Sequence, residues 1–177
     1  NYALDGNTTA SDCTAIGYSA LTGANTGANN TALGTNSLES NTSGGSNTGL
    51  GRYSLYLNTT ASNNTAVGNN SLYSTTTGGN NTALGQSALM ANTTGGSNTA
   101  VGNAALDAAT TASYNTAVGE ASLSANTTGH SNTGLGRAAL QANTTSNYNT
   151  AAGYNSLAVN TTGASNTAVG AFALDAN

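Results

Sequence analysis

The chain contains no lysine, and its only cations are Arg52 and Arg137. Binding to nucleic acid or to an anionic membrane surface needs a basic stripe, and two arginines cannot build one. No run of about 20 apolar residues exists, so no membrane-spanning helix is expected. A single cysteine, Cys13, rules out an internal disulfide framework. Charged residues make up only 5% of the chain and the formal net charge is −4. Leu, Ile, Val and Phe together number 23 of 177 residues, below the share of about 20% at which disorder is the default reading. That reading also calls for high net charge, which is missing, and the order that is present argues against it.

What is present is a repeat. The stretch Asn81 to Ser97, NTALGQSALMANTTGGS, returns at Asn98 as NTAVGNAALDAATTASY and precedes itself at Asn64 as NTAVGNNSLYSTTTGGN. The step is 17 residues, without insertion or deletion from Cys13 to Asn177. A fixed period of this kind is the signature of a solenoid whose units are stacked coils. Coil position 1 is therefore set at the Asn of each NTA. Residues 1–177 read as one array of about ten coils. Both ends fall in mid-coil, so a window of a longer repetitive chain is expected.

Position 5 is Gly in every coil, from Gly17 to Gly170. Such regularity predicts a backbone with positive φ, or a close approach by a neighbouring chain, at the same place each time. Position 4 is always apolar (Ile16, Leu33, Leu50 through Val169) and position 9 is always Leu, from Leu21 to Leu174. Positions 3 and 8 are small. Asn, Thr, Gly and Ser dominate the remainder and disfavour helix. The pattern predicts an all-β parallel β-solenoid with two short strands per coil, at positions 2–4 and 8–10. Positions 4 and 9 should be the most buried, and the 12–17 turn the most exposed. In-register stacking should lay Thr on Thr and Asn on Asn. Two large apolar side chains per coil make a thin interior, so several chains packed side by side, with Ala and Gly allowing close approach, are expected.

The motif NTAVGxxALxxNTTG, as in Thr99-Ala100-Val101-Gly102 and Thr167-Ala168-Val169-Gly170, resembles NTAVG-type repeats of bacterial surface fibres and phage tail fibres. It is similar also to the head repeats of trimeric autotransporter adhesins, although their unit is usually shorter than 17. The resemblance covers the whole chain. It implies a left-handed β-roll, a homotrimeric fibre whose partners are copies of itself, and an extracellular location on a cell surface or virion.

Candidate chemistry is sparse, and no enzyme, cofactor or metal site is expected. Cys13 and His130 lie about seven coils apart, too far for a nucleophile and its base. Asp5, Glu39, Asp107 and Asp175 share position 10 but are separated by two coils or four; Asp107 and Glu120 fall nearer. Calcium-binding rolls place an Asp in each turn, and these turns read TTGGSN instead. The eight tyrosines fall at scattered positions and form no single stripe. Asn7, Asn41, Asn58, Asn92, Asn126, Asn143 and Asn160, all at position 12, head N-x-Ser/Thr sequons. On a protruding turn they are candidate glycosylation sites, with the Thr pair at positions 13 and 14 as O-linked acceptors. Asn29, Asn63, Asn69 and Asn80 head further sequons. The expected role is a structural extracellular fibre or stalk, the shaft of an adhesin or a tail fibre. The alternative is a binding solenoid whose Asn and Thr ladders recognise a repetitive ligand, glycan or ice.

Overall fold

The computed structural model describes residues 2–175; Asn1 and the last two positions of the array lie outside the described residues. Ten three-residue strands follow one another at the 17-residue period: β1 (Thr14–Ile16), β2 (Thr31–Leu33), β3 (Thr48–Leu50), β4 (Thr65–Val67), β5 (Thr82–Leu84), β6 (Thr99–Val101), β7 (Thr116–Val118), β8 (Thr133–Leu135), β9 (Thr150–Ala152) and β10 (Thr167–Val169). They form one parallel sheet in chain order. Register is set like on like, as in Thr82 on Thr99, Ala83 on Ala100 and Leu84 on Val101. The chain is a parallel β-solenoid of 17-residue coils, with no helix among the described residues.

Only one of the two expected strands per coil forms. Positions 8–10 lie in a turn because positions 7 and 9 both take left-handed backbone angles, as at Ala104 (φ 52°) and Leu106 (φ 53°). Two left-handed residues so close together cannot run as an extended strand. Hydrogen bonding along the stack continues all the same. The Leu106 N–H donates to Ser122 O at 3.0 Å, and the Ala104 N–H to Gln86 O at 3.0 Å.

Burial corrects a second expectation. Position 9 is the core: Leu21 through Leu157 are fully buried at every coil. Position 4 is not. Its side chains point outward: seven of the ten are exposed, as at Leu84 (36%) and Ile16 (60%), and Leu50, Val101 and Ala152 are half-buried. Within a three-residue strand the faces alternate, so position 3 is the inward one, and Ala32, Ala66, Ala83, Ala100 and Ala117 are buried there. The expected close approach between chains at position 3 is corrected with it, because these small residues face their own chain's Leu column. A 17-residue perimeter leaves room for one large side chain per coil, and Leu at position 9 takes it. Where position 3 is Gly, a serine hydroxyl fills the gap: Ser37 Oγ donates to Gly49 O and Ser122 Oγ to Gly134 O, each at 3.0 Å.

The third correction concerns the 12–17 turn, which is not uniformly exposed. Positions 12, 15 and 1 are buried, as at Asn92, Ala112 and Asn98, whereas position 14 lies in solvent at Thr60, Thr94 and Thr128. Half of the solenoid interior is thus polar. The glycine expectation holds in its positive-φ form, and the close approach comes from the next coil of the same chain. Gly136 has φ 130°, and a Cβ there would sit 2.6 Å from the Gly153 carbonyl oxygen of the next coil.

Candidate functional site

Asparagine ladders run through the polar half of the interior. Each position-1 Asn accepts the backbone N–H of its counterpart in the next coil, unbroken from Asn30 to Asn166 at 2.9–3.0 Å. Its amide group reaches across its own coil to the position-15 carbonyl, as in Asn98 Nδ2 to Ala112 O at 2.8 Å. Cys13 takes the ladder place ahead of Asn30. It is half-buried, and its Sγ lies 3.4 Å from Ser11 O and 3.7 Å from Asn25 Nδ2. That is the small substitute the repeat implies.

The sequon asparagines form a second ladder. Nδ2 of Asn41, Asn58, Asn92, Asn126 and Asn143 donates to the position-15 carbonyl three residues on, at 2.9–3.2 Å. Asn58 Nδ2 also donates to Asn41 Oδ1 of the coil before, at 2.7 Å. Asn41, Asn58, Asn92, Asn126, Asn143 and Asn160 are consequently buried. The access that made them glycosylation candidates is absent, because each amide closes its own turn from inside. Asn7 is exposed. Of the further sequons, Asn29, Asn63 and Asn80 at position 17 are exposed. Where Ala24 stands at position 12, the neighbouring Asn25 turns inward instead and accepts from Asn41 Nδ2 at 2.7 Å.

Cys13 and His130 stay apart along the roll. Cys13 precedes β1 and His130 precedes β8. His130 belongs to the turn: its Nδ1 accepts the Ser113 N–H at 3.0 Å and its own N–H donates to Asn147 Oδ1 at 2.6 Å. Glu120 forms an exposed ion pair with Arg137 at 3.1 Å. Burial raises the Asp107 carboxyl above its ordinary pKa, opposed by the backbone N–H groups of Asp107 and Ala108. Glu39 accepts from the Asn36 amide. Among the described residues no group of three His, Cys, Asp or Glu side chains comes together as a metal would require, and no helix is long and apolar enough to cross a membrane.

The most extended surface feature is the outward face of the sheet. Ile16, Leu33, Val67, Leu84, Val118, Leu135 and Val169 are exposed in one line at position 4, beside the partly exposed position-2 threonines. Position-13 threonines use their hydroxyls to bond coil to coil, as in Thr93 Oγ1 to Thr110 O at 3.0 Å. Among the described residues the strand threonines make no such bond. The face is therefore two parallel ladders, one of hydroxyl-bearing and one of apolar side chains, repeating at about 4.8 Å.

One place breaks the uniformity. Tyr53, Tyr56 and Tyr73 gather on one side of the roll, with Tyr56 stacked on Tyr73 at 5.1 Å and Tyr53 edge-on to both at 5.2 and 6.0 Å. The Arg52 guanidinium lies 4.2 Å from the Tyr53 ring centroid, and its Nη2 donates to the Tyr53 hydroxyl at 3.1 Å. Glu39, one coil before Tyr56, raises the pKa of that phenol, with burial and the neighbouring tyrosines adding to it. Arg52, Tyr53, Asn70, Tyr73 and Met90 line a cleft of about 290 Å³. Reading the tyrosines as scattered missed this cluster. The signal was there: Tyr56 and Tyr73 share position 10 in consecutive coils, with Tyr53 three residues before the first. No family model, curated protein or solved structure matches the chain.

Proposed function

We propose that this chain is a structural extracellular fibre segment that associates side by side with copies of itself as a homotrimer, forming the shaft of an adhesin or tail fibre. The observation that carries the reading is the apolar ladder at position 4, exposed in seven of its ten coils. A single stranded roll gains nothing by holding that row in water, and runs of exposed apolar surface mark association sites. Each coil adds one side chain to the row at about 4.8 Å, so the adhesive area grows with length, as a shaft requires. The role is mechanical. A constant cross-section gives reach without a unique pocket in every coil. Any N-linked sugar on the folded chain belongs at Asn7, Asn29, Asn63 or Asn80, the sequons that are exposed.

Sedimentation velocity at micromolar concentration tests the assembly. The expected result is a trimer for the native chain. A variant with Val67→Asp, Leu84→Asp and Val101→Asp should sediment as a folded monomer with the same far-ultraviolet circular dichroism. A native chain that is folded and monomeric at that concentration removes the assembly.

A second reading rests on the strand threonines. A flat face of regularly spaced hydroxyls beside apolar side chains could lie against a repeating surface such as ice or an ordered polysaccharide. Thermal hysteresis of the purified protein separates the two. A clear positive, abolished by Thr82→Lys and Thr99→Lys, would replace the fibre reading with a surface-binding one.

A further inference from the structure

We propose that the cleft between Arg52, Tyr53, Asn70, Tyr73 and Met90 is a subsite for an acidic saccharide, a uronic acid or similar carboxylate-bearing pyranose within a glycan chain. Its shape follows from a lapse in the repeat. Down the position-7 column Tyr53 is followed by Asn70, whose short side chain leaves a gap in the coil beyond the ring. Down the position-10 column Tyr56, Tyr73 and Met90 form an apolar wall. The outcome is a cleft of about 290 Å³, at the lower end of the size range for small-ligand sites, and large enough for a single sugar ring.

The lining fits one ligand chemistry. Pyranose rings carry apolar C–H faces and a rim of hydroxyls, so they need an apolar aromatic wall beside planar hydrogen-bonding groups. Tyr53 and Tyr73 supply the wall and their phenol groups, and the Asn70 amide offers both a donor and an acceptor. Arg52 supplies the charge. The other cation, Arg137, is paired with Glu120 at 3.1 Å, whereas Arg52 has no carboxylate partner among the described residues and its guanidinium is held by Tyr53. A guanidinium already held over an aromatic ring keeps donors free for a bidentate contact with a carboxylate. Glu39 lies beside Tyr56, one coil before the cleft, and is not among the residues that line it.

The three tyrosines support one another by edge and stacked contacts, so the wall is preformed and little ordering entropy opposes binding. No other place on the described chain combines aromatic rings, an unpaired cation and a concavity. Tyr154 and Phe172 are edge-on at 5.1 Å, but their neighbour Arg137 is occupied by Glu120. The subsite stands on its own. It fits an adhesive shaft, but it does not depend on self-association.

Isothermal titration with tri-galacturonate as the probe, and maltotriose as its uncharged counterpart, tests the assignment on the intact chain. Native protein should bind tri-galacturonate at least tenfold more tightly than maltotriose. Arg52→Gln should remove that preference, and Tyr73→Ala should weaken tri-galacturonate at least tenfold. Both side chains lie outside the buried core, so both variants should keep the native far-ultraviolet circular dichroism, and Arg52→Gln the native melting curve as well. The contact with Arg52 should weaken as sodium chloride is raised from 50 to 500 mM. Absence of heat with either sugar at millimolar concentration would overturn the proposal. So would equal binding of both sugars that Arg52→Gln leaves unchanged. Because sedimentation reads the oligomer and titration reads the cleft, failure of one is distinguishable from failure of the other.

Discussion

Asn58 and Asn92 hold the buried Oδ1 atoms that find no hydrogen-bond partner among the described residues. The reason lies one coil on. Where the coil before also carries Asn at position 12, the Nδ2 of the position-12 Asn donates to its Oδ1, as Asn58 does to Asn41 at 2.7 Å and Asn143 to Asn126 at 3.1 Å. The coils that follow Asn58 and Asn92 carry Thr75 and Ala109 at that position, so no donor arrives. Thr75→Asn and Ala109→Asn should complete the ladder, and the repeat guarantees a site of the right shape. Each removes one unsatisfied buried acceptor, worth about 1–2 kcal/mol. Urea unfolding should show a higher midpoint for each variant and a further rise for the pair. A lowered midpoint in both would mean that the ladder bond is not what holds the turn. The same residues show where sequence reading stops. Asn in an NTTG turn carries the signature of a solvent-facing sequon, and nothing local reveals that its amide folds inward. Leu at position 9 was legible as core, and the structure adds why it is never Val or Ile. The position combines full burial with a φ near 53°, and a β-branched residue is a genuine outlier in left-handed geometry.

At the scale of the coil, period and register were legible to the residue, since the strand at positions 2–4 and the Thr-on-Thr stacking of β5 and β6 follow from the 17-residue repeat. Its faces were not read correctly. Alternation in Thr-Ala-Val puts positions 2 and 4 on one side, yet the larger apolar residue invites being placed inside. The perimeter of the coil decides otherwise, because Leu106 from the opposite side leaves space only for Ala100 and Ala105. The position-5 glycines were read correctly, and they allow a controlled measurement. Gly136 and Gly170 both have positive φ, 130° and 121°, but a Cβ on Gly136 meets the next coil at 2.6 Å whereas one on Gly170 meets, among the described residues, only the Ala173 Cβ at 4.0 Å. Gly136→Ala should therefore cost backbone strain and a clash together, about 2–6 kcal/mol. Gly170→Ala should cost the strain alone, about 1–3 kcal/mol. Chemical denaturation of the two variants isolates the coil-to-coil contact as their difference, and equal losses would mean that close approach has no part in fixing this glycine.

Over the whole molecule, electrostatics has little to act on. The described residues contain one salt bridge, exposed on both sides, and such a solvent-screened pair contributes little. What holds the stack is the Leu column, two asparagine ladders and backbone bonding from coil to coil, none of which salt screens. What the stack offers to a neighbour is the position-4 row, equally free of charge, since Ile16, Leu33, Val67, Leu84, Val118 and Leu135 carry no ionisable group. Self-association through that row should then respond to solvent as apolar burial does. Sodium chloride between 50 mM and 1 M should leave the sedimentation profile nearly unchanged, because there is little for a shorter Debye length to weaken. Sulfate, which is excluded from protein surfaces, should shift it toward the oligomer, and cooling toward 4 °C should shift it toward the monomer as the apolar driving force weakens. An assembly that dissolves in 1 M sodium chloride and ignores sulfate would instead be held by charge, and the two arginines and six acidic residues, not the apolar ladder, would have to be the groups that join one copy to the next.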